Sequence, residues 1–307
     1  MSNCETEIGN PRTGKEPLDC QQPVASIIVS TYDQPSSLRL CLWGLYAQTV
    51  GNVEIMVADD GSDGRTERVV HCGEFRHMRI RHLWQPDQGF RRGRAVNWAI
   101  AEARASYLIF IDADCVPRAD FVAQHLRCRR AGYFISAGRV HVPDSIHSGF
   151  TPRDVISQRV FDPHFLGTQH SMLRRYRWRL KPGRAERLLN LLTYRRGVFH
   201  GSNASCWRSD ALRVNGFNES FSCGSDDREF GARLWNAGVR ARWLKFSLLQ
   251  IHLDHAYRYD LQQSTANRRR FKQIWRSGVR HTTPGIDTVV ERVNRELAIY
   301  KGLSRAA

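Results

Sequence analysis

Carboxylates carry the first chemical signal in this chain. Asp112 and Asp114 stand one residue apart at the end of the run Tyr-Leu-Ile-Phe-Ile. Two carboxylates at spacing i, i+2 can both reach a hard divalent cation, directly or through water, and such a cation commonly bridges to substrate phosphates. Two further pairs, Asp59-Asp60 and Asp226-Asp227, also fall at predicted strand ends or helix starts. The chain has only 30 acidic residues against 46 basic ones. Acidic residues gathered this way in a basic protein point to a metal and an acid–base role. A structural reading competes at each pair: an acidic turn after a strand, or an aspartate at a helix start, where the cap hydrogen bond and the helix dipole favour it.

Apolar patterning shows which elements must position these groups. The unbroken run before Asp112 is expected for a strand buried on both faces of a parallel sheet. Its aspartates then emerge at the C-terminal edge, where open α/β sheets place ligands. Val24–Thr31, Val53–Ala58 and Arg79–Trp84 predict further strands, and Ser36–Gln48, Thr66–Phe75 and Arg91–Ala105 predict helices. Pro117 is expected at the first position of a helix running to about Ala131, followed by a strand over Tyr133–Val142. Such alternation predicts an α/β fold with a central, mostly parallel sheet flanked by helices. Asp227–Asn236 predicts a helix closed by Gly238, with strands at Ala241–Phe246 and Leu248–His252. From Arg258 onward the chain is basic and helical, broken at Pro284-Gly285.

A hydrophobic fraction of 41% over 307 residues fits a globular protein and excludes a disordered one. The net charge of +16 calls for an anionic partner: nucleic acid, a membrane surface, or a phosphorylated or acidic substrate. Eight scattered cysteines without a C-x-x-C pair argue for reduced thiols and against a zinc ribbon. The first 23 residues are polar, and no run of about 18 apolar residues occurs. A flexible leader over 1–23 is therefore expected, with no signal peptide or membrane-spanning helix. The expected location is cytoplasmic, with peripheral attachment to the inner face of the membrane. Arg174–Arg196, with Tyr176, Trp178 and Tyr194 interleaved, suits either an anionic lipid surface or single-stranded nucleic acid. The acidic motifs favour the first, and Arg268-Arg269-Arg270, Lys272 and Arg276 extend the same basic character.

Six motifs in order carry a resemblance. V-S-T-Y-D at Val29–Asp33, A-D-D-G-S at Ala58–Ser62, Q-G-F-R at Gln88–Arg91 and F-I-D-A-D at Phe110–Asp114 resemble the GT-A fold glycosyltransferases of family 2. H-G-S-N-A-S at His200–Ser205 and G-F-N-E-S-F at Gly216–Phe221 continue the likeness. C-G-S-D-D-R-E-F at Cys223–Phe230 resembles the acceptor box of galactosyltransferase-like members, with Cys223 and Ser225 in place of Trp and Gly, and Asp226 in place of Glu. The resemblance spans roughly 24–256. It implies a nucleotide-sugar half at 24–142, a basic insertion at 143–196, an acceptor half at 197–256, and a basic helical extension at 257–307.

The resemblance also implies roles. Asp33 and Asp60 would contact the base and ribose of a nucleotide-sugar, with Thr31 and Tyr32 on the same loop. Arg91 and Arg94 would meet the diphosphate, while Arg92 reads as a solvated helix face. Asp112 and Asp114 would hold Mn²⁺ or Mg²⁺, with Asp114 as direct ligand and His252 or His255 completing the site. Asp227 matches the general base, and Asp226 would bind the acceptor. Asn203 and Ser205 would lie near the sugars. The implied reaction is inverting, metal-dependent transfer from a UDP-linked sugar to a glycan or lipid-linked acceptor, in cell-surface polysaccharide or lipopolysaccharide synthesis. The alternatives are a nucleotidyltransferase and a basic nucleic-acid-binding protein.

Overall fold

The structure, a computed structural model, describes residues 22–167, 186–193, 198–222, 224–255 and 261–304. All but the last two residues of the expected leader lie outside these, as does the stretch Arg174 to Lys181 of the basic segment. The first part of the chain runs β1 (Ala25–Thr31), α1 (Pro35–Tyr46), β2 (Val53–Asp59), α2 (Gly64–Val70), β3 (Ile80–Trp84), α3 (Arg92–Glu102) and β4 (Tyr107–Asp112). Then come β5 (Cys115–Pro117), α4 (Phe121–Cys128), β6 (Tyr133–Ser136), β7 (Val140–Val142), α5 (Asp144–His147) and α6 (Pro152–Ile156). The remaining elements are α7 (Glu186–Leu192), β8 (Asn203–Trp207), α8 (Arg208–Arg213), α9 (Asp226–Asn236), β9 (Arg240–Trp243), β10 (Gln250–Leu253), α10 (Leu261–Ser277) and α11 (Ile286–Ser304).

A seven-stranded sheet has the order β3-β2-β1-β4-β8-β6-β9. β1 to β4 pair in parallel, and β8 runs antiparallel to both its neighbours. Successive side chains of a strand point to opposite faces, and the apolar run obeys this. Leu108 and Phe110 enter one core with Val96 and Ile100 of α3 and with Phe199, Phe217 and Phe230. Ile109 and Ile111 enter the other with Leu38, Leu42 and Leu45 of α1. Both faces are covered, so the run reads as continuous rather than alternating.

Two expectations are corrected. Pro117 does not open a helix. It ends β5, which pairs antiparallel with β10, and α4 begins four residues later at Phe121. The strand expected over Tyr133–Val142 breaks in two. β6 joins the large sheet, while β7 pairs with β10 in a three-stranded sheet of order β5-β10-β7. Residues between β7 and 167, the first part of the segment 143–196, pack Phe150, Val155, Val160 and Leu166 against Val116, Val142 and Ile251. The small sheet matters for chemistry. Its register sets His252 beside Cys115 on one side and His141 on the other, next to the end of β4.

Candidate active site

The parallel register aligns Ser30 of β1 with Asp112 of β4. Asp112 Oδ1 accepts from Ser30 Oγ at 2.6 Å and from Arg92 Nη2 at 3.0 Å. The same guanidinium donates through Nη1 to Asp226 Oδ2 at 2.8 Å. Arg92 is thus no solvated helix residue, since its side chain is only 18% exposed between two carboxylates. Burial alone would lower its pKa, but Asp112, Asp226 and Asp227 raise it, so it stays charged. Glycine at 201 leaves room for this, because a Cβ there would stand 2.7 Å from Arg92 Nη2.

Asp226 and Asp227 form the first turn of α9, where the helix dipole favours carboxylates. Burial pushes the Asp226 carboxyl above its ordinary range, Arg92 opposes that, and the neighbouring Asp227 adds to it. Asp227 Oδ2 accepts from the Gly201 amide at 3.2 Å, and its Oδ1 accepts from the Arg228 amide at 2.7 Å.

Asp114 faces a different group. Its Oδ2 lies 2.9 Å from His255 Nε2 and 3.3 Å from His252 Nε2. Burial would raise the Asp114 carboxyl, but the hydrogen bonds from both imidazoles hold it well below the usual range. One ligand atom from each of Asp114, His252 and His255 lies within 4.8 Å of the others. Behind them, Asp254 Oδ1 lies 3.0 Å from His252 Nδ1 and 2.7 Å from His141 Nδ1. A carboxylate holding one imidazole nitrogen leaves the other to coordinate. One carboxylate and two imidazoles suit Mn²⁺ or a similar divalent ion. Asp112 is outside this group, its Oδ1 being turned to Ser30 and Arg92.

On the nucleotide side, Asp60 accepts from Gln85 Nε2 at 2.6 Å and from the Arg91 amide at 2.7 Å. Burial nevertheless pushes its pKa up to about 6. Gly61 takes φ +98°, and a Cβ there would meet Asp87 Cα at 2.5 Å, so the loop closes over Asp60 only with glycine. Asp33, at φ 48°, accepts from the Asp63 amide at 3.0 Å. The Tyr32 hydroxyl donates to Asp87 Oδ2 at 3.1 Å, and Thr31 Oγ1 is buried without a partner.

Arg91 and Arg94 are held by one residue of α11. Glu296 pairs with Arg91 Nη1 at 2.9 Å and with Arg94 Nη2 at 2.6 Å. Asn203 is fully buried, its amide donating to the carbonyls of Gly138 and Leu248. Ser205 lies inside the sheet, 2.8 Å from both the Tyr107 hydroxyl and His125 Nδ1. The side chains of these two residues are thus engaged in contacts inside the fold.

Arg92, Asp254, His141 and Glu296 were not singled out as site residues from sequence. Asp254 left a signal, because it sits between the two histidines of I-H-L-D-H. The others depend on partners brought in by the fold.

The model of "Glycosyl transferase family 2" matches residues 26–209, and that of "N-terminal domain of galactosyltransferase" matches 192–257. A chondroitin synthase of Escherichia coli is 25% identical over 230 residues, which cover 71% of this chain and 33% of that protein. A validoxylamine A glucosyltransferase of Streptomyces hygroscopicus subsp. jinggangensis is 27% identical over 243 residues, 71% of this chain and 52% of its own. The chain thus spans a third to about half the length of these relatives. The mannosyltransferase PcManGT from Pyrobaculum calidifontis, solved with GDP-Man and Mn²⁺, superposes with a TM-score of 0.56 at 18% identity, covering 87% of this chain and 68% of that one. TarS of S. aureus also superposes at 0.56, with 14% identity, covering 89% of this chain and 43% of that one. Both share the fold. Helices α10 and α11 lie beyond both matched spans.

Proposed function

The chain belongs to glycosyl transferase family 2, and from that premise we propose an inverting, metal-dependent transfer of a sugar from a UDP-linked donor to a glycan or lipid-linked acceptor. It is a glycosyltransferase with a GT-A fold. The observation that carries the finer proposal is the convergence of Asp114, His252 and His255, with Asp254 behind them, next to an Asp112–Arg92–Asp226 bridge. A divalent ion held there would supply positive charge against the departing diphosphate.

The chain's own groups divide the remaining work. Asp33 and Asp60 accept from the base and ribose. Asp227 takes the proton from the acceptor hydroxyl, whose oxygen forms a bond to the anomeric carbon as the carbon–phosphate oxygen bond breaks on the opposite face. The two amide hydrogen bonds to Asp227 fix its carboxylate for that task. Arg92 balances the charge of Asp226 and leaves Asp227 as the base. Among the described residues no helix is long and apolar enough to cross a membrane. We assign the activity to cell-surface polysaccharide assembly, with peripheral attachment drawn from the basic surface.

The test is a panel of nucleotide-sugars assayed with Mn²⁺ for slow hydrolysis and for transfer. One UDP-sugar is expected to respond, and Asp227→Asn should lower its transfer at least about 100-fold while UDP still binds. Full transfer by Asp227→Asn would instead remove Asp227 as the base.

A further inference from the structure

Asp254 follows the last residue of β10 and gathers two imidazoles on one oxygen. Its Oδ1 lies 3.0 Å from His252 Nδ1 and 2.7 Å from His141 Nδ1. Its main chain is pinned on both sides. The amide donates to the Val142 carbonyl at 3.0 Å, and the carbonyl lies 2.9 Å from His147 Nε2. The preceding residue ties the strand to Asp114, the Leu253 amide donating to the Asp114 carbonyl at 2.8 Å. The Asp254 carboxylate is therefore fixed relative to Asp114 and His252.

Proton placement gives this arrangement a use. To hold an ion beside Asp114, His252 must present the lone pair of Nε2. A neutral imidazole carries one proton, so that proton has to sit on Nδ1, where Asp254 accepts from it. Asp254 thereby fixes which nitrogen binds and how the ring is turned, and its charge makes the imidazole a stronger donor. His141 supports it from the other side. A guanidinium only donates, and Arg139 Nε bonds His141 Nε2 at 3.4 Å, so the His141 proton sits on Nδ1 and points to Asp254. Arg139 is placed in turn by Nη1 on Ser202 Oγ at 2.9 Å. The pairing of β7 with β10 sets the two rings side by side, with centres 4.8 Å apart.

We propose that Asp254 and His141 are positioning residues that make His252 an ion ligand and so bias the centre towards Mn²⁺ and against Mg²⁺. This rests on the metal reading above and names what decides the ion. Mg²⁺ takes oxygen ligands and gives up its water reluctantly, so an oriented imidazole favours a transition ion over it. His141, His252 and Asp254 also bring ligand atoms within 4.8 Å of one another, a spacing that would suit a cation of their own. Two features oppose that use. The Arg139 charge stands against His141, and His252 could bind an ion on each nitrogen only by giving up its last proton.

Mn²⁺ binding to the full chain without nucleotide tests this, followed by the paramagnetic resonance of the free ion, with Mg²⁺ affinity taken from displacement. The unmodified chain is expected to bind one Mn²⁺ in preference to Mg²⁺. Asp254→Ala should weaken Mn²⁺ at least about tenfold and Mg²⁺ by less than about threefold, so the preference shrinks. Asp254→Asn keeps an acceptor for His252 and should recover part of it. His141→Ala should move the ratio the same way by a smaller factor. Circular dichroism and UDP affinity in EDTA, both expected to be unchanged, check that each variant is folded. Unchanged Mn²⁺ affinity in Asp254→Ala removes the positioning role and leaves the metal site standing. A parallel loss of Mn²⁺ and Mg²⁺ also overturns the proposal, since Asp254 would then only brace the site. Two bound ions, one of them lost in His141→Ala, would make the group a second cation site instead. No Mn²⁺ binding by the unmodified chain overturns this proposal and the metal reading together.

Discussion

Arg92 holds carboxylates from two distant parts of the chain, Asp112 at 3.0 Å and Asp226 at 2.8 Å. Those partners lie 20 and 134 residues away in sequence. No local pattern reveals such a contact, and a basic residue on an amphipathic helix ordinarily faces water. Asp60 was legible because it follows a strand and precedes glycine, but its environment was not. Its pKa of about 6 comes from burial, and this gives a pH dependence. The folded chain holds the Asp60 proton to higher pH than the unfolded chain. Stability from this group is therefore lost as pH rises from about 4 to about 6, at a cost of up to about 3 kcal/mol above that window. The cost is accepted where the ionised form has work to do. If the carboxylate accepts from a base N–H, uridine affinity measured in EDTA should fall about tenfold from pH 7.5 to pH 5. Asp60→Asn should remove the slope. A flat profile in the unmodified protein would take Asp60 out of base recognition.

At the scale of elements, the strands before Asp60 and Asp112 were readable because strand burial is a local composition signal. The helices after β1, β2 and β3 were readable for the same reason. The small sheet was not. β5 and β10 are separated by more than a hundred residues of chain, and only their pairing sets His252 beside the D-x-D strand. The C-terminal helices hid a second contact. Glu296 of α11 occupies both Arg91 and Arg94, the residues expected to meet a diphosphate. α11 is tied down further by Arg292 to Glu219 and by Tyr300 against Trp84. For either arginine to reach phosphate, Glu296 must give way. Glu296→Gln should therefore lower the KM for the nucleotide-sugar about two- to tenfold while leaving kcat near its original value, since partly buried ion pairs hold the arginines only modestly. An unchanged or raised KM would mean that Arg91 and Arg94 serve to anchor α11 and do not bind the donor.

Over the whole molecule, a chain of net charge +16 gathers several of its carboxylates in one region. The sheet brings Asp33, Asp60, Asp112 and Asp114 to the C-terminal edges of β1, β2 and β4, as open α/β folds do with their ligand sites. α9 adds Asp226 and Asp227 from the other half. The central claim is that Asp114 and its histidines hold a divalent ion that a nucleoside diphosphate shares. Calorimetric titration of UDP tests it most directly, with saturating Mn²⁺ or with EDTA, for the unmodified protein and for Asp114→Ala checked by circular dichroism. The expected result is UDP affinity at least about tenfold higher with Mn²⁺, and no metal effect in Asp114→Ala. Equal affinity with and without metal, or a metal effect that survives in Asp114→Ala, would contradict it.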